Sequence, residues 1–208
     1  MIIPLSDKSA NQIYHLMTQS VIPRPIAWVL TDSASTEDQA NYNLAPFSYF
    51  TAVSSAPPLL MFSVGKKPTG ENKDTVTNVN HGSPMVIHIA TGSQFRDVTT
   101  SAATLDHGES ELDKLDLPLT AFDDFPLPRI ASCPIAFGCS LYQTTSIGDA
   151  PQTLIFAKIE TIFVADELLL PNEAGRIQID ASKVAPLARL GASQYSLMGE
   201  IISQARPK

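Results

Sequence analysis

Sixteen prolines are spread along the 208 residues, and they leave few stretches long enough for an extended helix. Proline carries no amide donor and has a fixed φ. It ends helices and, within a sheet, is confined to edges and bulges. Most of what lies between the prolines is of β type: 25–31, 42–50, 59–64, 85–91, 134–145 and 152–164. The last segment is the clearest. There Ile155, Ala157, Ile159, Thr161 and Phe163 alternate with a partly polar face that holds Lys158 and Glu160, the pattern of a strand with one face on a core. Helical signals are fewer and shorter. The residues predict a helix capped by Asp7 that runs through Met17 and ends before Pro23. Others are predicted at 74–81, closed by Gly82, at 94–104, capped by Ser93, at 110–117, and at 183–190, with Gly191 as C-cap. No regular alternation of strand and crossover helix exists. A doubly wound sheet is therefore excluded, and a mainly β fold is expected, a β-barrel or sandwich with decorating helices. The length is that of a single domain, taken as 1–208.

The chain is 44% hydrophobic and 17% charged, which suits a globular protein with a large core. Its net charge of −7 is concentrated, because the 106–124 segment holds seven acids and one base, Lys114. Nucleic acid and anionic membrane surfaces call for the opposite balance, so neither is expected as a partner. The longest unbroken apolar run, 26–30, is far too short to span a bilayer. The first seven residues show no basic stretch before an apolar run, which speaks against a secretory signal. Cys133 and Cys139 are six residues apart in a strand-like segment, so they stand about 20 Å apart, beyond disulfide reach. A cytoplasmic protein is expected.

Several motifs are absent. Residues 65–70 have the spacing of the first half of a P-loop, but Glu71 and Asn72 stand where lysine and a hydroxyl residue belong, so a surface loop is expected. Gly-x-Ser-x-Gly is missing, as is Gly-x-Gly-x-x-Gly after a strand. His15, His81, His88 and His107 show no ligand spacing, and no metal is expected. His88 interrupts the apolar 85–89 run and reads as a satisfied core or barrel-rim histidine.

Four segments of the first half suit an anionic, aromatic ligand. In the first, Arg24 lies between Pro23 and Pro25, ahead of an apolar strand. It either presents its fork with little ordering cost or is a solvated arginine at a strand start. In the second, Asn43-Leu44-Ala45-Pro46-Phe47-Ser48-Tyr49-Phe50, Pro46 marks an edge or a bulge. Backbone groups of Leu44 and Ala45 are then free for a ligand, or the segment is a plain bulged edge. The third ends its apolar strand at Ser63, where the chain enters a loop. In the fourth, Lys73 and Thr75 flank Asp74 at a helix start, where free N–H groups, a charge and a hydroxyl suit phosphate. Asp74 is equally a natural N-cap that touches no ligand. Around this loop Lys66, Lys67 and Lys73 are opposed only by Glu71 and Asp74, so an acidic chain still offers a local site for an anion.

Taken in order and spacing, four blocks resemble the flavin reductase-like, or flavoredoxin-like, FMN-binding split-barrel family. They are 23–29, 43–50, Pro57-Pro58-Leu59 and Lys73-Asp74-Thr75-x-x-Asn78. Compatible features follow at Leu115-Asp116-Leu117, Cys133-Pro134-Ile135-Ala136 and Arg189-Leu190-Gly191-x-x-x-Tyr195, so the resemblance spans roughly 23–195. The chain departs from the pattern at Ala192, where a second glycine is usual, at His88, where asparagine is common, and at 32–38, where the usual turn glycine is missing.

The resemblance implies a six-stranded Greek-key split barrel and a homodimer with FMN near the subunit interface. It implies a phosphate held by Lys73, Thr75, Ser63 and Arg24, with Asp74 at the helix start. The isoalloxazine would lie against Asn43, Leu44, Ala45, Pro46 and Ser48. NAD(P)H would dock transiently over the flavin, which carries the redox chemistry, so no catalytic side chain is expected. Two activities fit: an NAD(P)H-dependent flavin oxidoreductase acting on small molecules, with or without a partner monooxygenase, and a non-enzymatic FMN electron carrier or flavin store. The acidic 106–124 stretch would be a peripheral excursion of the barrel.

Overall fold

A computed structural model describes residues 1–33, 40–80, 84–106, 108–171, 175–205 and 207. In chain order its elements are α1 (Ala10–Ser20), β1 (Arg24–Pro25), β2 (Ala27–Asp32), β3 (Tyr42–Phe47), β4 (Phe50–Ser55), β5 (Pro58–Val64), α2 (Asp74–Asn80), β6 (Met85–Ile89), α3 (Phe95–Thr100), β7 (Leu119–Thr120), β8 (Arg129–Ile130), β9 (Ile135–Ile147), β10 (Gln152–Val164), α4 (Ala181–Val184), β11 (Ala188–Arg189) and β12 (Tyr195–Ser196).

The main sheet is antiparallel throughout, with the order β3-β2-β6-β9-β10-β5-β4. Its two edges, β3 and β4, are consecutive in the chain and separated only by Ser48 and Tyr49. Edges joined by two residues force the sheet to curl into a barrel that brings its two edge strands together without pairing them. A contact across the seam agrees: Phe47 of β3 stacks on Phe62 of β5 at 5.2 Å between ring centroids. The strand expected at 42–50 is therefore two strands with different partners, Trp28 facing Pro46 on one side and Phe50 facing Phe62 on the other. Pro46 sits in an edge strand, where its missing donor costs no ladder bond.

β2 is buried on both faces, with Ala27 through Thr31 at 0% exposure. Alternate residues enter different cores. Ala27 and Val29 point into the barrel with Phe62, Met85, Ile87 and Ile155. Trp28 and Leu30 point outward, beneath a cover that includes Leu112, Leu115, Phe122, Leu127 and Ile130. The acidic stretch is thus no mere excursion. Its apolar residues roof the outer core, and Glu111 within it is buried.

His88 ties this roof to the barrel. It has no exposure, and its Nε2 accepts from the Ile130 amide (3.0 Å), which leaves the proton on Nδ1 to be donated to the Trp28 carbonyl (3.0 Å). Both nitrogens are satisfied in the neutral form, and burial pushes the pKa down to about 4.

The helices differ from expectation at their ends. α1 is capped by Ser9 in a capping box with Gln12 rather than by Asp7, and it runs to Ser20. The 94–104 helix begins as a 3-10 turn, Gly92–Gln94, before α3. At 110–117 only a 3-10 turn forms, Glu111–Lys114, capped by Ser110. At the 183–190 helix the chain instead forms α4, capped by Asp180 and ended by Ala185 in the left-handed region ahead of Pro186, and then β11. Gly191 caps nothing there. It is packed on α1, where a Cβ would lie 2.2 Å from Gln19 Cγ. α2 forms as predicted, although His81 and Gly82 lie outside the described residues. Cys133 and Cys139 are buried and unpaired. Among the described residues no helix is long and apolar enough to cross a membrane.

An unfolded His88 takes up a proton below about pH 6.5, whereas the folded ring refuses it until about pH 4. This group's contribution to stability is therefore lost as pH falls through that window, by up to about 3 kcal/mol. Denaturant midpoints measured from pH 7 to 4.5 are expected to fall more steeply in the native protein than in His88→Gln, and parallel curves would refute the assignment.

Candidate functional site

One groove runs along the β3 edge. Its first part is lined by Asn43, Ala45 and Pro46 of β3, Lys67, Lys73 to Thr75, the 101–105 segment and Glu111. Its second part is lined by Tyr14, Ile26, Pro46, Ser48, Val98, Thr99, Ala102, Arg189, Ser193 and Tyr195. The two parts meet at Pro46 and Ala102.

At the first end, α2 plugs the barrel with Val76 and Val79 and is fastened by two amides. Asn78 Nδ2 donates to Thr31 Oγ1 (3.0 Å), and Asn43 Nδ2 donates to Thr75 Oγ1 (3.0 Å). Both asparagines are buried. Because Thr75 Oγ1 accepts, its own proton is left for a further acceptor. Lys67 Nζ pairs with Asp74 Oδ1 (3.0 Å) and reaches the Leu105 carbonyl (3.4 Å). Asp74 is therefore the first residue of α2, with its carboxylate on a lysine, and not the N-cap. Lys73 Nζ makes no hydrogen bond or ion pair among the described residues. It stands 5.9 Å from the centroid of the Phe47 ring. Burial pushes its pKa down, Glu111 opposes that shift and Lys67 adds to it. A half-buried ammonium without a counter-ion favours an anion beside it.

Glu111 closes the floor. It is 5% exposed, and Oε2 accepts from the Leu44 amide (2.9 Å). Burial raises its pKa, the Leu44 amide lowers it and Asp74 raises it further. The outward amide of the edge strand that seemed free for a ligand is thus taken, and the next outward position is Pro46, which has none. The wall from Asn43 to Pro46 offers side chains and apolar surface instead. Trp28 Nε1 donates to Ser101 Oγ (2.8 Å), which fixes the start of the segment opposite.

Three expected residues stand elsewhere. Arg24 is 5% exposed, and every nitrogen of its guanidinium has a partner. Nη1 donates to the carbonyls of Thr18 and Val21, Nη2 to that of Leu190 (2.9 Å), and Nε to Ser48 Oγ (3.4 Å). It knits α1, β1 and the turn after β11 together, and it does not line the lysine end. Leu44 is a core residue that offers the groove no side chain. Ser63 of β5 is opposite Leu154 of β10 and lines neither part of the groove. Conversely, Glu111, Ser101 and Tyr14 line the groove without having been expected there, whereas Lys67 belongs to the lysine cluster that the sequence marked for an anion. Glu111 is one of seven acids in its stretch, so no local signal marked it. Among the described residues no three His, Cys, Asp or Glu side chains converge as for a metal.

Replacing Glu111 by alanine strands the buried Leu44 amide and is expected to cost about 1–3 kcal/mol in urea unfolding, whereas Glu111→Gln, which keeps an acceptor, recovers most of the loss. Equal stability of the alanine variant and the native chain would contradict the role given to this bond.

The flavin reductase like domain family model matches residues 18–176. The crystal structure of nitrilotriacetate monooxygenase component B from Bacillus cereus is 31% identical, with a TM-score of 0.85 over 98% of each chain. The structure of the 2-nitrobenzoate 2-nitroreductase NbaA of Pseudomonas fluorescens is 25% identical, with a TM-score of 0.84 over all of this chain and 96% of that one. A putative flavin reductase with a split barrel domain from Shewanella frigidimarina, 16% identical with a TM-score of 0.79 over 98% of this chain and 96% of that one, shares the fold. The barrel closed at Ser48 and Tyr49 is that split barrel, and the chain belongs to the flavin reductase like domain family.

Proposed function

We propose that this chain binds FMN in the groove and acts as an NAD(P)H-dependent flavin oxidoreductase, as a cytoplasmic homodimer of one domain per chain. The observation that carries this reading is the half-buried Lys73 ammonium, which has no hydrogen bond or ion pair among the described residues and shares the groove end with Thr75. A phosphate monoester supplies the missing counter-charge and accepts from both groups. Lys67 enters this set only as far as Asp74 releases it. One lysine-lined end matches a single terminal phosphate, which favours FMN over FAD.

The remaining residues position and enclose. Ala45 and Pro46 form the wall against which a planar ring rests. Asn43 holds Thr75 in place, and Arg24 holds Ser48 at the rim of the groove. Arg24 takes no phosphate in this reading, because its nitrogens are engaged by three carbonyls and the Ser48 hydroxyl. When bound, FMN supplies N5, which accepts hydride from a nicotinamide. No side chain is asked to act as acid or base, and the protein contributes placement and exclusion of water. The electron acceptor, whether free flavin, a small oxidant or a partner oxygenase, is left to experiment.

FMN titration followed by absorbance is expected to show tight binding, and NADH or NADPH oxidation is expected to depend on FMN. A protein that binds FMN yet turns over neither nicotinamide is an electron carrier, and the reductase reading then falls. Lys73→Ala is expected to weaken FMN by about 1.5–3 kcal/mol, and unchanged affinity would remove Lys73 from the phosphate site.

A further inference from the structure

The far part of the groove holds a second cation with unused donors. Arg189 and Tyr195 are paired directly across β11 and β12, so their side chains share a face. The guanidinium carbon lies 4.5 Å from the ring centroid. Thr99 Oγ1 donates its only proton to the Phe95 carbonyl (2.7 Å), so the 2.9 Å contact between Thr99 and the Tyr195 hydroxyl is donated by the tyrosine. The ring is thereby fixed at its far end, and it braces the guanidinium plane. Of five guanidinium donors, one hydrogen bond is made among the described residues, from Nη2 to the Ala192 carbonyl at 2.7 Å. Arg24, directly opposite Arg189 in the same small sheet, is the contrast, since all its nitrogens are engaged.

The neighbours of Arg189 add donors and no counter-charge. Ser48 Oγ accepts from Arg24 and keeps its own proton. Ser193 lines the same stretch without a hydrogen bond among the described residues, and no carboxylate lines it there. A braced guanidinium beside hydroxyls, in a stretch of the groove lined by no carboxylate among the described residues, is suited to a planar oxyanion. We propose that Arg189, with Ser193 and Ser48, forms a second anion site in the groove. It takes the carboxylate or phosphate group of the co-substrate that meets the flavin. The proposal rests on the flavin reading for what lies beside the anion, while the anion contact itself needs no flavin.

Calorimetric titration of the purified protein with sodium benzoate, inorganic pyrophosphate and neutral benzamide, before and after saturation with FMN, tests this. At least one anion is expected to bind and benzamide is not. Benzoate alone assigns the site to an organic acid, and pyrophosphate alone assigns it to the diphosphate of a dinucleotide. Arg189→Met is expected to weaken the anion by at least about ten-fold with FMN affinity retained. If that variant folds poorly because the turn at Ala192 loses its bond, Arg189→Lys decides instead. It keeps the charge and a donor but loses the fork, so weaker anion binding is expected. Failure of both anions to bind, or native affinity in the arginine variants, overturns the proposal. Anion binding without FMN binding would refute the flavin reading and leave this site standing.

Discussion

Two residues, Ser48 and Tyr49, join the two edges of a seven-stranded sheet. β3 ends at Phe47 and passes directly into β4 at the opposite end of the sheet. Because it does pass, the sheet must roll up, the Phe47 ring meets Phe62 inside the barrel, and the outer rim of β3 becomes one wall of a groove. The same two residues carry the geometry further. Ser48 accepts from Arg24, and Arg24 reaches the end of α1 and the turn after β11. Barrel closure and the groove therefore rest on the same two residues.

Charge in the groove is arranged by burial more than by number. Near Lys73 there are two lysines and two carboxylates, a neutral sum. The pairs are unequal, however. Lys67 is bound to Asp74 and Glu111 to an amide, which leaves Lys73 without a hydrogen bond or ion pair among the described residues. In a partly dry site an unmatched ammonium sets the local preference whatever the total charge. At the other end Arg189 makes one hydrogen bond among the described residues, while Arg24, nearby in the same small sheet, has a partner for every guanidinium nitrogen and serves the fold. Two arginines opposite one another thus have different roles for reasons that no local sequence rule contains.

Much of the fold was legible, and the reasons are local. The strands at 85–91 and 152–164 were visible because alternation and β-branched residues act over a few positions. Pro46 at an edge followed from a missing donor. The 42–50 segment was misread as one strand because its break is a change of partners and not of propensity. The helix at 183–190 failed because Ala185 and Pro186 end it after one turn. Glu111 was invisible as a site residue. Its stretch reads as solvated acid, and only the packing of Leu112, Leu115 and Phe122 on the outer core carries it under Leu44.

The sequence by itself determined a mainly β chain of short elements, a lysine, aspartate and threonine at a helix start, and a proline-bearing strand beside them. These are consequences of backbone chemistry and of residue types read over a few positions. The tertiary structure decided which of the charged groups are free. Arg24, Lys67 and Asp74 found partners and Lys73 and Arg189 kept donors unused, because pairing depends on which segments the barrel brings within about 3 Å of one another. Those distances arise from closure of the sheet, a long-range constraint that no short window of sequence expresses.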